Sequence, residues 1–131
     1  MIESFAVRTA ARSSMVGITR EVADAVRALG VTDGAVAVYT PHTTAAITIN
    51  ENADPAVERD VATTLDETFP VRGDYHHAEG NSDAHVKSSL VGCSELVLVQ
   101  GGELVLGTWQ GVFFCEFDGP RTRKVYVSTV G

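Results

Sequence analysis

A short segment of the chain concentrates side chains that could bind a metal ion. It contains, in order, Asp74, His76, His77, Glu79, Asp83 and His85. Imidazole nitrogens and carboxylate oxygens are ligands for divalent metals, and imidazole favours zinc or another transition ion. The spacing matches no compact metal motif, so a polar surface loop is the alternative interpretation.

Two strand ends carry further polar groups. His42 lies in Pro41-His42-Thr43-Thr44, where proline removes a hydrogen-bond donor of the sheet and the threonines offer hydroxyls. Glu51-Asn52 closes the following strand in the same way. The alternatives are a turn with a solvated histidine and a plain polar loop.

The quartet Gly107-Thr108-Trp109-Gln110 interrupts the apolar run Leu104-Val105-Leu106. Glycine allows a ligand to approach the backbone closely, while Thr108 and Gln110 bring hydrogen-bonding groups. Trp109 brings a flat apolar face and one N–H donor. This pattern predicts the wall of a small-molecule site, and Trp109 as a core residue is the alternative.

Arg121 and Arg123 follow the turn Asp118-Gly119-Pro120 and project to one face of the last predicted strand. In an acidic chain they form the main positive spot for a phosphate group. The hydroxyls of Ser88 and Ser89 could add hydrogen bonds. The sequence contains no phosphate-binding glycine loop, nucleophile elbow or dinucleotide fingerprint, which argues against an NTPase, an α/β hydrolase or a Rossmann enzyme.

Composition limits the class of protein. The 131 residues suffice for one domain, and a formal net charge of −7 argues against a nucleic-acid partner. No apolar run approaches the roughly 20 residues of a membrane-spanning helix. Met1-Ile2-Glu3-Ser4-Phe5-Ala6 lacks the basic and apolar regions of a signal peptide, so we expect a cytoplasmic protein.

Hydrophobic periodicity and turn residues predict an α+β fold. We expect one compact domain over residues 1–131, with a barrel-like or sandwiched, mostly antiparallel sheet and helices packed on it. The predicted strands are Glu3 to Ala10, Gly34 to Thr40, Ala45 to Asn50, a hairpin about Gly101-Gly102, Val112 to Phe117, and Lys124 to Val130. Three helices are predicted. The first begins at a Thr19 cap and ends before Gly30, and the second begins at Asp54-Pro55 and ends before Pro70. The third begins at a Ser82 cap and ends near Val91.

Strand alternation places Cys115 on one face with Phe113 and Phe117, which predicts a buried and inert thiol. Neither Cys93 nor Cys115 has a metal-type spacing. Residues 71–81 show no periodicity and are predicted to form a loop.

Four motifs in fixed order resemble one known family. They are the segments from His42 to Pro55, from Asn81 to Gly92, from Leu104 to Gln110, and from Asp118 to Arg121. Together they resemble the YjbQ family, whose members are called secondary thiamine-phosphate synthases. The resemblance runs from about residue 5 to residue 130. One departure is Ser82, where the family pattern more often has alanine.

The resemblance implies a homotrimer with sites near subunit boundaries. It implies a divalent metal, zinc or magnesium, in a polar pocket that includes His42, His77 and His85. The implied activity joins an aminopyrimidine diphosphate to a thiazole phosphate and releases pyrophosphate, so the partner is a small phosphorylated substrate. A shared family does not by itself fix function.

Roles for the remaining residues follow as hypotheses from that reaction. Arg121 could stabilise the leaving diphosphate, Trp109 could stack on a substrate ring, and Asp83 or Glu51 could accept a proton. Thr108, Gln110 and Ser88 could orient the phosphate or an exocyclic nitrogen.

Three alternatives remain open from the sequence. The first is a metal-dependent hydrolase of a small phosphorylated metabolite, which would use the same histidines. The second is a non-catalytic trimeric module that binds a phosphorylated ligand. In the third, the histidines support only the structure.

Overall fold

The computed structural model describes all 131 residues and contains eight strands and three helices. In chain order these are β1 (Ile2–Arg8), β2 (Ser14–Gly17), α1 (Thr19–Leu29), β3 (Gly34–Tyr39), β4 (Ala45–Glu51), α2 (Pro55–Thr68), α3 (Ser82–Val91), β5 (Ser94–Gln100), β6 (Glu103–Leu104), β7 (Gln110–Glu116) and β8 (Thr122–Val130). Residues 71–81 form neither helix nor strand, as predicted.

The strands form two sheets in which every pair is antiparallel. The large sheet has the order β1-β8-β3-β5-β6, and the small sheet has the order β2-β7-β4. Val36, Val38 and Val127 of the large sheet pack in one core with Ile47 and Phe114 of the small sheet. This confirms the predicted α+β fold with a sandwiched antiparallel sheet.

Helix α1 closes the core. Val22 and Val26 lie one turn apart on the same face and are fully buried in the core cluster. Gly30 ends the helix in the left-handed region at φ 72°, which favours glycine, and this confirms the predicted C-terminal cap.

The small sheet is covered on both faces. A second apolar cluster contains Ala46, Cys115 and Phe117 together with Ala84 of α3, and Leu65 of α2 packs against it. Burial on both faces explains why β7 is apolar without alternation. The prediction for Cys115 is confirmed, because its side chain is buried and burial raises the pKa of its thiol to about 12.

Two predicted helix caps are wrong by one residue. Thr19 is the first residue of α1 rather than its cap, and its hydroxyl accepts a hydrogen bond of 2.9 Å from the Val112 N–H. Ser82 is likewise the first residue of α3, after Asn81, and no side chain caps this helix. The cap of α2 is confirmed, since the carboxylate of Asp54 accepts the N–H of Ala56 at 2.9 Å and Pro55 follows.

The outer face of the large sheet lies open and is apolar. Its exposed side chains include Ile2, Tyr39, Leu96, Leu98 and Val130. The strand register brings them together, because Ala37 lies opposite both Leu96 and Ser128, and Ser128 lies opposite Ile2. None of the three helices has the combined length and apolarity needed to cross a membrane.

Candidate functional site

A pocket of about 490 Å³ opens where the chain passes from β3 into β4, with α3 forming its opposite wall. We call it the histidine pocket. Its lining residues are Tyr39, Thr40, Pro41, His42, Thr43, His85, Ser88, Ser89, Gly92 and Cys93. Two of the three predicted histidine ligands and Ser88 therefore line one pocket. Cys93 was not predicted to be near them.

His42 is held by the backbone of β8. Its Nε2 accepts a hydrogen bond of 2.9 Å from the Lys124 N–H, so the neutral ring carries its proton on Nδ1. Partial burial lowers the pKa of His42 below its ordinary 6.5, and the nearby charge of Arg123 lowers it further. His42 is thus favoured as a neutral ring with one N–H to donate.

His85 and His77 contact each other. Their ring centroids are 5.4 Å apart with the planes at 84°, an edge-to-face arrangement. The Nε2 of His77 lies 3.7 Å from a carboxylate oxygen of Glu79. His77 is close to the histidine pocket through His85, although it does not line it.

The three histidines are not arranged as a preformed three-ligand metal site within one chain. A bound zinc ion requires nitrogen ligands at about 2.0–2.1 Å converging on one point. No group of three or more His, Cys, Asp or Glu side chains is arranged to do so, and the Nε2 of His42 is already used by a backbone N–H. The metal site therefore stays a prediction.

The hydroxyls of the pocket differ in what they can donate. The Ser88 hydroxyl donates to the Ala45 carbonyl at 2.6 Å, and the Ser89 hydroxyl donates to the His85 carbonyl at 2.8 Å. The Thr40 hydroxyl donates to the Lys124 carbonyl at 3.2 Å. Thr43 makes no such bond and is exposed in the pocket. Its hydroxyl is therefore available to a ligand.

Asp83 lies outside the histidine pocket in a buried ion cluster. The guanidinium of Arg12 donates to both of its oxygens, at 3.0 and 2.9 Å, and Lys87 Nζ donates at 2.8 Å. Burial raises the pKa of Asp83, but these hydrogen bonds outweigh burial and bring it below 3.8. Lys87 also donates to Asp66 at 2.6 Å. The cluster joins α2, α3 and the segment before β2.

The predicted arginines are also paired. Arg121 donates to the carboxylate and the carbonyl of Asp118, at 3.0 and 2.7 Å. Arg123 is buried, and its Nε donates to Glu116 at 2.9 Å. Lys124, next to Arg123 in the chain, forms no ion pair, and its Nζ lies 5.7 Å from the ring centroid of Tyr126. Strand alternation in the sequence indicates that Lys124 is separate from these pairs, because it places Lys124 on the opposite face from both arginines.

The quartet and Glu51 lie at the far end of the small sheet. Glu51 pairs with Gln110 in the register, whereas Ala45, next to the pocket, pairs with Glu116. Six residues of strand separate these ends by about 20 Å. Thr108, Trp109, Gln110 and Glu51 therefore do not share a site with His42 in one chain.

The quartet forms a turn that leads into β7, which begins at Gln110. The Gly107 N–H donates to Oε1 of Gln110 at 2.8 Å, and the Asn52 N–H donates to the Trp109 carbonyl at 2.9 Å. Trp109 is 63% exposed, so its interpretation as a core residue is wrong. The turn displays an indole ring to the outside of the chain.

Known proteins resemble this chain over its whole length. The family model described as UPF0047 protein YjbQ-like matches residues 3–131. The UPF0047 protein YugU of Bacillus subtilis is 51% identical over all of both chains. A UPF0047 protein of Methanocaldococcus jannaschii is 49% identical over all of this chain and 95% of its own.

Solved structures also resemble this chain over nearly its whole length. An uncharacterized conserved protein of the YjbQ/UPF0047 family from Clostridium acetobutylicum is 52% identical, with a TM-score of 0.95 over 98% of this chain and 99% of its own. A YbjQ-like protein of unknown function from Sulfolobus solfataricus is 31% identical, with a TM-score of 0.94 over 100% and 96%. The chain therefore belongs to the YjbQ/UPF0047 family.

Proposed function

We propose that the histidine pocket binds the diphosphate of an aminopyrimidine diphosphate and that the chain catalyses its coupling to a thiazole phosphate. The observation that carries this proposal is the lining of the pocket. None of its ten residues is acidic, although the chain has 17 aspartates and glutamates. Two imidazoles and the free Thr43 hydroxyl face a space in which an anion meets no carboxylate.

Charge around the pocket supports the same ligand class. Arg123, Arg121 and Lys124 all contribute positive potential at His42, against one opposing carboxylate, Glu116. Lys124 adds a cation without a carboxylate partner near the beginning of β8, next to the pocket. A phosphorylated ligand gains from this potential even though the whole chain carries a net charge of −7.

The coupling reaction needs hydrogen-bond donors more than it needs a base. The bond between the pyrimidine methylene carbon and the diphosphate oxygen breaks, and its electron pair leaves with pyrophosphate. The lone pair of the thiazole nitrogen forms the new carbon–nitrogen bond, and no proton leaves the nucleophile. Negative charge develops on the leaving oxygen, where Nδ1–H of His42, an N–H of His85 and the Thr43 hydroxyl could stabilise it. Asp83, which is held by Arg12 and Lys87, then has a structural role.

The open face of the large sheet supports the proposed homotrimer. A contiguous apolar face that no helix covers is typical of a subunit interface. Tyr39 lies on this face and also lines the histidine pocket, so assembly through it would place the pocket near a subunit boundary. Trp109, Thr108, Gln110 and Glu51 could then act on a ligand only from a neighbouring subunit.

A coupled assay tests the proposed activity. Purified protein is incubated with both half-molecules, and thiamine phosphate and pyrophosphate are measured separately. We expect both products in equal amounts, and loss of both in His85→Ala but not in His76→Ala, an exposed histidine outside the pocket. Pyrophosphate or phosphate released without thiamine phosphate would identify a hydrolase instead. Binding of the diphosphate without turnover would identify a binding module.

A further inference from the structure

A second cavity lies beneath α2, on the outer side of the small sheet. It has a volume of about 70 Å³ and shares no lining residue with the histidine pocket. Seven of its eleven lining residues are apolar, among them Val61 and Leu65 of α2 and Cys115 of β7. No charged side chain lines it, so an occupant must be neutral.

Ser14 gives this cavity one unused hydrogen-bonding group. The residue lines the cavity, and its Oγ is buried without a hydrogen-bond partner in the protein. Native structures nearly always supply a partner to a buried hydroxyl, because leaving it unpaired is destabilising. An occupant that accepts a hydrogen bond from Ser14 would meet this requirement.

Size and lining favour an organic occupant over water alone. The volume is more than twice the roughly 30 Å³ that one water molecule takes up in the liquid. Water needs two to four polar partners, whereas seven of the eleven lining residues are apolar. A molecule with a short apolar part and one polar end matches both the apolar and the polar residues of the lining.

Helix α2 is suited to admit such a molecule. None of its 14 residues is fully buried, so it covers the sheet without close packing. Its polar attachment is Asp66, which accepts hydrogen bonds from Lys87 at 2.6 Å and from the Ser13 hydroxyl at 3.0 Å. Displacement of this helix exposes the cavity without disturbing the core between the sheets.

We propose that the cavity beneath α2 is a binding site for a small, neutral, partly apolar molecule whose polar atom accepts a hydrogen bond from Ser14. The site is independent of the histidine pocket and of the reaction proposed there.

Two probes test this site: xenon, which is purely apolar, and 1-propanol, whose oxygen can accept a hydrogen bond. Binding is followed by saturable shifts of backbone amide NMR signals around the cavity. We expect both probes to bind to the wild-type chain. Ser14→Ala should keep xenon binding and weaken 1-propanol binding about fivefold, the value of one hydrogen bond.

A matched pair of substitutions on α2 locates the binding. Ala62→Leu fills the cavity and should abolish binding of both probes, whereas Ala56→Leu adds the same side chain at an exposed position outside it. Equal binding by these two variants, or no saturable shift with either probe, would overturn the proposal and leave a cavity that holds only water. If Ala62→Leu does not fold, equal 1-propanol affinity of Ser14→Ala and the wild type overturns it.

Discussion

The backbone N–H of Lys124 donates a hydrogen bond of 2.9 Å to Nε2 of His42. This bond joins the beginning of β8 to the loop before β4, and it leaves Nδ1–H as the donor that a neutral His42 can offer. Protonation of Nε2 would break the bond, because two N–H groups would then face each other. The orientation of His42 in the pocket therefore depends on its neutral form.

Stability should depend on pH through His42. Its pKa in the folded chain is lowered below 6.5, chiefly by burial, so the folded state resists protonation more than the unfolded state does. The contribution is complete above pH 6.5 and is lost as the pH falls through the lowered pKa. His42→Gln keeps an acceptor for the Lys124 N–H but cannot titrate. Urea unfolding at pH 7.5 and pH 5.5 should show a smaller difference for this variant than for the wild type. Identical differences would contradict the role of the neutral ring.

Removal of Lys87 should strongly destabilise the chain. Lys87 and Asp83 are both fully buried, and the substitution Lys87→Met leaves Asp83 with Arg12 alone. We expect a loss of about 3 kcal/mol in the free energy of unfolding, as for other broken buried ion pairs. Asp66→Asn is the matched control, because Asp66 is half exposed and its pair should contribute less than about 1 kcal/mol. Equal losses in the two variants, measured by urea unfolding, would show that burial of the cluster is unimportant.

Acid should destabilise the chain through Glu116. Burial raises the pKa of this carboxyl, but hydrogen bonds from Arg123 and Thr9 outweigh burial and hold it below 4.5. Its contribution is present above pH 4.5 and is lost as the pH falls through the lowered pKa. Glu116→Gln should cost about 3–5 kcal/mol at neutral pH and flatten the acid limb of the stability profile. Glu67→Gln, at an exposed position, should change neither quantity. An unchanged acid limb in Glu116→Gln would contradict this account.

Self-association should depend on the open face of the large sheet. Leu96→Glu places a charge on that face, and we expect sedimentation analysis to show a trimer for the wild type and a monomer for this variant. Leu90→Glu is the control, because Leu90 is at least as exposed as Leu96 but lies on α3. A trimer that survives Leu96→Glu, or one that is lost in Leu90→Glu alone, would locate the interface elsewhere.

Local sequence signals predicted most of the fold. Asp54-Pro55 and Gly30 have geometric roles that few other residues fill, so they located helix ends correctly. The caps at Thr19 and Ser82 failed by one residue, because the Thr19 hydroxyl accepts a hydrogen bond from the Val112 N–H instead and no side chain caps α3. Strand β2 was not predicted, because Ser14-Met15-Val16-Gly17 is short and pairs with only one strand at the edge of its sheet.

The candidate site was predicted only in part. His42, His85 and Ser88 do meet, because the end of β3 and helix α3 flank the same opening. The ion pairs of Asp83 and Arg121 were not predicted. Arg12, which pairs with Asp83, lies 71 residues away from it in the chain. Trp109 and His42 were placed together by the reaction that the resemblance implies, whereas the register of β4 with β7 puts them at opposite ends of the small sheet in one chain.

Titration calorimetry with pyrophosphate tests the central claim most directly, because it requires neither turnover nor an identified metal. We predict one pyrophosphate per chain in the histidine pocket, with affinity reduced about tenfold or more in His85→Ala, the loss of one charge-assisted hydrogen bond. His76→Ala, on the loop that precedes α3 and outside the pocket, should bind like the wild type. Wild-type affinity in His85→Ala, or an equal loss in both variants, would contradict the assignment of this pocket to the diphosphate.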